Sequence, residues 1–218
     1  MADHLGGISG VVFDMDGVLV DTSPCHEQAY NRLMTKLKLP AVEYEQLAGR
    51  STKDVVDQLC GHLSSQARQQ CVSYKQTEAL KLLRTADIVF ADTVCSIEKL
   101  HRAGFKLALA TSASKASAGL VLDRLGVSHL FEAVITADHV KKAKPDPEIF
   151  CRAIKALGLA PSASLIIEDS VAGVRSGLAA GARVVNVRNR ISHIEHPSFS
   201  GFYGDLTEVT GLLMGRTS

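Results

Sequence analysis

GVVFDMDG, residues 10–17, sets an unbroken apolar run directly against two carboxylates and a glycine. The run is short, rich in β-branched side chains and not alternating. That predicts a strand buried on both faces rather than one with a wet side. Four similar runs follow at wide intervals: KLALAT (106–111), AVIT (133–136), SLIIED (164–169) and RVVNV (183–187). Most are separated by stretches of helical period. Val94, Ile97 and Leu100 share one face, as do Ile149, Phe150, Ala153, Ile154 and Leu157. Val171, Val174 and Leu178 form a third set, which stops at Gly181. Strands alternating with helices predict an α/β fold built on a doubly wound parallel sheet.

One region breaks the rhythm. From about residue 22 to 85 the pattern is helical, with no clear strand. Ser23 and Pro24 suit an N-cap and a first-turn position. Ala29, Leu33 and Leu37, flanked by Tyr30 and Met34, then recur at helical spacing. Val55, Val56, Leu59, Cys60 and Leu63 make a second amphipathic run, and a third spans 65–83. The expected organisation is an α/β core of residues 1–20 and 86–218, interrupted after its first strand by a small all-helical insert over 21–85. Residues 189–200 read as a loop.

Bulk properties narrow the function classes. A chain of 218 residues can bury one sizeable core with a modest insertion. A net charge of +1 gives no electrostatic footprint for nucleic acid or an acidic membrane. Aromatic residues are 5% and Trp is absent, which argues against a base-stacking platform. The five cysteines are widely spaced and contain no CxxC pair, so reduced core thiols and a cytoplasmic location are expected. No signal peptide is read at the N-terminus, and no apolar stretch is long enough for a membrane span.

The chemistry sits at strand ends. Asp14 and Asp16 close the first strand, at the edge where open α/β sheets bind ligands. Taken alone, the pair fits a solvated Asp-Gly turn, a calcium-loop fragment, or a nucleophile beside an acid/base group. Thr111 and Ser112 end the second strand and could hold a phosphoryl oxygen, although such hydroxyls often cap the next helix. Glu168 and Asp169 end the fourth strand, a second acidic pair that suits a hard cation or a helix cap. Lys144 precedes Pro145 just ahead of a helix. A doubly wound sheet gathers all four sites along one edge. Carboxylates, a hydroxyl and a cation in one cleft are what phosphoryl transfer requires.

With these motifs in order along nearly the whole chain, the sequence resembles the haloacid dehalogenase superfamily of phosphatases, in the branch that includes β-phosphoglucomutase. DMDGVLVDT resembles the first motif, ATS (110–112) the second, KPDPEIF the third and IIEDSVAG (166–173) the fourth. The resemblance implies a Rossmann-like core with a mobile helical cap on hinges near 20–22 and 85–92. It implies Asp14 as nucleophile, Asp16 as general acid/base, Thr111 and Ser112 as phosphate binders, and Lys144 as both phosphate-binding and catalytic. It further implies Mg²⁺ held by Asp14, the backbone carbonyl of Asp16 and Asp169, with Glu168 close by. His26, Gly49, Arg50, Ser51 and Thr52 would set specificity from the cap.

The substrate expected from this resemblance is a small phosphorylated metabolite, such as a sugar, polyol or nucleoside phosphate. No nucleic-acid or membrane partner is expected, and the chain is expected to be a monomer or weak homodimer. Asp16 disfavours dehalogenation, since the dehalogenases lack it, and a signalling receiver would not carry a helical insert over its acceptor Asp. A sugar phosphomutase is the alternative. Thr52 stands where the mutase has a distal-phosphate Arg, with Arg50 close but in another register, which weakens that alternative. Lys53 and Lys75, also in the insert, read as surface charges.

Overall fold

The computed structural model describes residues 5–47, 50–188 and 193–215. Five strands form where the apolar runs predict them: β1 (Gly10–Phe13), β2 (Lys106–Ala110), β3 (Ala133–Ile135), β4 (Ser164–Glu168) and β5 (Arg183–Val187). A sixth, β6 (Phe199–Tyr203), begins inside the stretch read as loop, of which residues 189–192 lie outside the described residues. It is an edge strand and carries no continuous apolar run. Its side chains are only partly buried, Gly201 interrupts it, and its register against β5 shifts between Val184 and Asn186. All six strands are parallel, in the order β3-β2-β1-β4-β5-β6. The chain winds outward one way from β1 through β2 and β3, then the other way through β4. The switch between β1 and β4 opens a crevice at their carboxyl ends.

Period-two alternation sends neighbouring strand residues into opposite layers. Val11, Phe13, Leu107, Leu109, Leu165 and Ile167 pack with α4 (Thr93–Arg102), α5 (Lys115–Leu125) and α8 (Leu206–Met214). Val12, Ala108, Ala110, Ile166 and Val184 pack under α6 (Glu148–Ala156) and α7 (Val171–Ala179). Each Val, Leu, Ile or Phe side chain buried this fully contributes about 1.5–3 kcal/mol. The predicted α6 face is buried as expected. The predicted α7 face is not: Val174 is buried, but Val171 is 44% exposed at the rim of the crevice.

Helices α1 (Ser23–Leu37), α2 (Thr52–Leu59) and α3 (Ser65–Leu83) lie between β1 and α4. They bury Leu33, Met34, Val56, Cys60, Cys71 and Val72 in one cluster, and Tyr30, Leu47 and Val55 in another. The N-cap of α1 is Thr22 rather than Ser23, and no side chain caps it. The Thr22 hydroxyl donates to Asp16 instead. The two segments joining these helices to the sheet run side by side. Val20 bridges to Val89, and the Asp21 N–H donates to the Ile88 carbonyl at 2.7 Å. Cys25, Cys60 and Cys71 are buried free thiols, whereas Cys95 and Cys151 are exposed, contrary to the expectation of core thiols throughout. Among the described residues, no helix is long and apolar enough to cross a membrane.

Candidate active site

Asp14 leaves β1 with its N–H donating to the Ile167 carbonyl of β4, so the strand pairing itself places the residue at the switch point. The next turn is tight. The N–H groups of Val18, Leu19 and Val20 all converge on the Met15 carbonyl. Gly17 serves this turn twice: its φ is +86°, and a Cβ there would lie 2.0 Å from Oδ2 of Asp169. The first and fourth motifs are therefore in contact, although over 150 residues of sequence separate Gly17 from Asp169.

Lys144 joins them. Its Nζ donates to Oδ1 of Asp14 at 2.6 Å, to Oε1 of Glu168 at 2.6 Å and to the Ala110 carbonyl at 3.2 Å. The Lys144–Pro145 peptide is cis. The other oxygen of Glu168 accepts from the Asp169 N–H, the Ser170 N–H and the Ser170 hydroxyl, at 2.9, 2.8 and 3.0 Å. The cap of α7 is Ser170, whose hydroxyl accepts from the Gly173 N–H. Neither Glu168 nor Asp169 is spent on that duty. Gly173 makes room for Glu168, since a Cβ there would fall 1.7 Å from its Oε1.

Carboxylate oxygens of Asp14, Glu168 and Asp169 lie within 4.8 Å of one another, all buried. Burial raises the Asp14 pKa; Lys144 opposes this, and the Glu168, Asp16 and Asp169 charges add to it. Lys144 shifts the other way from a typical buried amine. Burial disfavours its charge, but attraction to Asp14 and Glu168 prevails and its pKa is raised. The three carboxylates, two of them bonded to the Lys144 ammonium, form an all-oxygen donor set that fits a hard divalent cation.

Asp16 turns away from this cluster toward the helices. It accepts from the Thr22 hydroxyl, and from Thr111 Oγ1 at 3.4 Å. His26 Nε2 lies 3.7 Å from it. Burial alone would raise Asp16, but the bonds and charge of His26, Thr22 and Lys75 prevail and hold it below the usual carboxylate range. Behind His26 stands Lys75, whose Nζ is 2.7 Å from His26 Nδ1, 3.5 Å from Thr52 Oγ1 and 4.3 Å from the Tyr30 ring centre. Burial pulls the Lys75 pKa down to about 7, and only Asp16 opposes it. Burial and Lys75 together lower His26. When Lys75 is charged it can only donate, so His26 Nδ1 accepts and its Nε2 proton faces Asp16.

Asp14, Asp16, His26, Thr52, Ser112, Lys144 and Lys75 all line one cavity of about 50 Å³. Thr111 is buried beside it, its hydroxyl accepting from the Ala113 N–H at 3.0 Å. Arg50 lines the cavity too, while its guanidinium donates to Gln58 at 2.6 Å. Ser51 caps α2 and faces the adjoining groove instead, and Gly49 lies outside the described residues. Lys53 is a surface charge as expected, but Lys75 is not. Its position had a signal: Cys71, Val72, Lys75, Ala79 and Leu83 share one stripe of α3, all buried.

A family model described as haloacid dehalogenase-like hydrolase matches residues 8–181. The chain is 31% identical over 180 residues to hexitol phosphatase A of Escherichia coli, covering 82% of each protein. It is 29% identical over 182 residues to the fructose-1-phosphate phosphatase of the same organism, covering 83% of this chain and 96% of that one. Among solved structures it is similar to β-phosphoglucomutase from Clostridium difficile. That match has a TM-score of 0.77 at 25% identity and covers 84% of this chain and 85% of the other.

Proposed function

From the premise that the chain belongs to the haloacid dehalogenase-like hydrolases, we propose that it is a Mg²⁺-dependent phosphatase that hydrolyses small phosphomonoesters through an aspartyl-phosphate on Asp14. The observation that carries this reading is the bridge of Lys144 between Asp14 and Glu168, at 2.6 Å to each, with Asp16 on the same turn. Residues 1–20 and 86–218 then act as the catalytic core, and residues 21–85 as a cap over it.

Asp14 is the nucleophile. Its carboxylate attacks phosphorus, and the ester oxygen leaves with the proton of Asp16. His26, Thr22 and Lys75 favour the ionised form of Asp16, so the acid role begins when a phosphate dianion enters beside it and raises its proton affinity. Asp16 then takes a proton from the water that cleaves the aspartyl-phosphate. Lys144 steadies charge on Asp14 and on the transferring group, while Glu168 holds Lys144 and the 169–170 backbone in place. Thr111 and Ser112 border the phosphoryl group. Asp14, Asp169 and the Asp16 carbonyl would hold Mg²⁺, with Glu168 beside it. When bound, Mg²⁺ supplies the charge neutralisation that lets a dianion approach a carboxylate.

Relatives named as hexitol and fructose-1-phosphate phosphatases make hexitol and hexose monophosphates the first substrates to try. The test is phosphate release across such a panel, with Mg²⁺ and with chelator, by wild type and Asp14→Asn. Turnover should need Mg²⁺ and vanish in Asp14→Asn; activity surviving in that variant ends the covalent reading. A sugar phosphomutase is the second reading, favoured by the β-phosphoglucomutase likeness. Against it, Thr52 stands in place of a distal-phosphate Arg, and the Arg50 guanidinium donates to Gln58. Glucose-1-phosphate converted under a bisphosphate activator, without free phosphate, would promote it.

A further inference from the structure

The two segments that join α1–α3 to the sheet meet under one side chain that the mechanism above does not use. Arg188 follows β5 with a backbone φ of 67°, a left-handed conformation uncommon for any residue with a side chain. Its side chain is only 14% exposed, and its guanidinium lies 3.9 Å from the centre of the Phe90 ring. From there Nη2 donates to the Val18 carbonyl at 3.1 Å and to Oδ1 of Asp92 at 2.9 Å. Val18 belongs to the turn that carries Asp16, whereas Phe90 and Asp92 belong to the second connecting segment. The other Asp92 oxygen accepts from the Leu206 N–H at 2.7 Å, which anchors the pair to the start of α8.

We propose that Arg188 is a positioning residue for Asp16, a clamp that fixes the acid/base turn against the second connecting segment. The inference rests on the phosphatase reading above. The turn's own bonds converge on the Met15 carbonyl and fix its shape, not its place. The Val20–Val89 bridge and the Thr93 hydroxyl on the Leu19 carbonyl tie it to the second segment further along the turn. Arg188 adds a separate tie at Val18, two residues along the chain from Asp16, and carries it to the end of β5. A planar guanidinium with several fixed donors suits this role better than an ammonium. Loss of the clamp lets Asp16 drift from the leaving oxygen, and proton transfer is sensitive to such displacement.

The chemistry offers a readout that a merely structural role would not move. In the transfer step the phosphoryl group passes to an Asp14 oxygen, the ester P–O bond breaks, and the departing alkoxide takes the Asp16 proton. A nitrophenolate departs without needing that proton. The experiment compares kcat/KM for the best alkyl monophosphate and for 4-nitrophenyl phosphate, in wild type, Arg188→Asn and Arg188→Lys. Asn tolerates left-handed backbone, so Arg188→Asn removes the guanidinium without forcing a new conformation. For Arg188→Asn the alkyl value is expected to fall about 10- to 100-fold and the aryl value less than about threefold, the smaller part of what general acid catalysis supplies. Arg188→Lys should fall between, and it keeps the test open if Arg188→Asn folds poorly. Equal losses on both substrates, or none on either, would overturn the clamp. No phosphate release by wild type from either ester would overturn the phosphatase reading itself.

Discussion

Lys144 and Lys75 are exposed to 6% and 3% of their surface, one at the carboxyl edge of the sheet and the other in the helical segment facing it. Burial acts on both in the same direction, yet their charges respond oppositely. Carboxylates surround Lys144, so attraction outweighs desolvation and the ammonium is permanent. An imidazole, a hydroxyl and a phenol ring surround Lys75, so desolvation prevails and its pKa falls to about 7. The sheet edge thus holds a cation fixed by its carboxylate partners. The helical segment holds one that changes near neutral pH, wired through His26 to Asp16. Removing each charge should move stability in opposite directions.

The largest effect is expected at Lys144. Lys144→Met strips the counter-charge from Asp14 and Glu168, each 2.6 Å from its Nζ. Breaking a buried pair by removing one partner costs about 3–5 kcal/mol. Urea unfolding at pH 7 should show a loss of that order, and phosphate release should fall at least ~10²-fold with the loss of preorganised charge. The stability deficit should shrink in acid, where the stranded Asp14 takes up a proton. A variant as stable as wild type at pH 7 would mean that Lys144 does not hold the carboxylates together.

Lys75→Met should do the reverse. Lys75 has a folded pKa of about 7, below its unfolded value of 10.5. Between those values the unfolded chain binds more protons at this site, so its contribution to stability rises with pH. Below pH 7 the full cost of burying the cation is present. An apolar side chain of similar length avoids it, and Lys75→Met should be more stable than wild type at pH 6, by on the order of 1–3 kcal/mol. The advantage should fade toward pH 10. Turnover should nevertheless drop roughly tenfold, because His26 loses the donor that orients it toward Asp16. Urea midpoints at pH 6 and pH 9, read beside phosphate release, decide the matter. A variant less stable than wild type at pH 6 would place Lys75 among the stabilising charges.

The same contrast explains what could be read from the chain. The sheet edge is legible because its acidic and hydroxyl motifs each end a strand, while Lys144 stands ahead of α6, and parallel topology gathers strand ends without further information. Asp14, Thr111 and Glu168 follow directly from the apolar runs before them. β6 was missed because an edge strand needs no apolar run to pair. Val171 departs from the expected buried face because a first-turn residue beside the crevice has no layer to cover it. The helical insert is less legible for another reason. Helices of the insert bury polar groups such as His26 and Lys75 against a cavity, so hydrophobic period alone no longer separates inside from outside. Lys75 was on the buried stripe of α3, yet a lysine carries its own prior toward solvent. Nothing local marks Arg188, whose left-handed φ and two partners belong to tertiary structure.

Lys53 supplies the control that separates burial from location. It lies in the same helical segment as Lys75, but its side chain is 72% exposed and its Nζ pairs with Asp57 at 2.7 Å, one turn along α2. The hydrogen bond to Asp57, more than its charge, raises the Lys53 pKa. An ion pair so exposed is screened by water and salt, and holding two long side chains together offsets most of the attraction. Lys53→Met is therefore expected to leave the urea midpoint, its pH dependence and phosphate release indistinguishable from wild type. If Lys53→Met instead reproduced the acid-side stabilisation of Lys75→Met, the gain would come from lowering the positive charge of the helical segment as a whole. The distinction between a buried and a solvated lysine would then lose its physical basis.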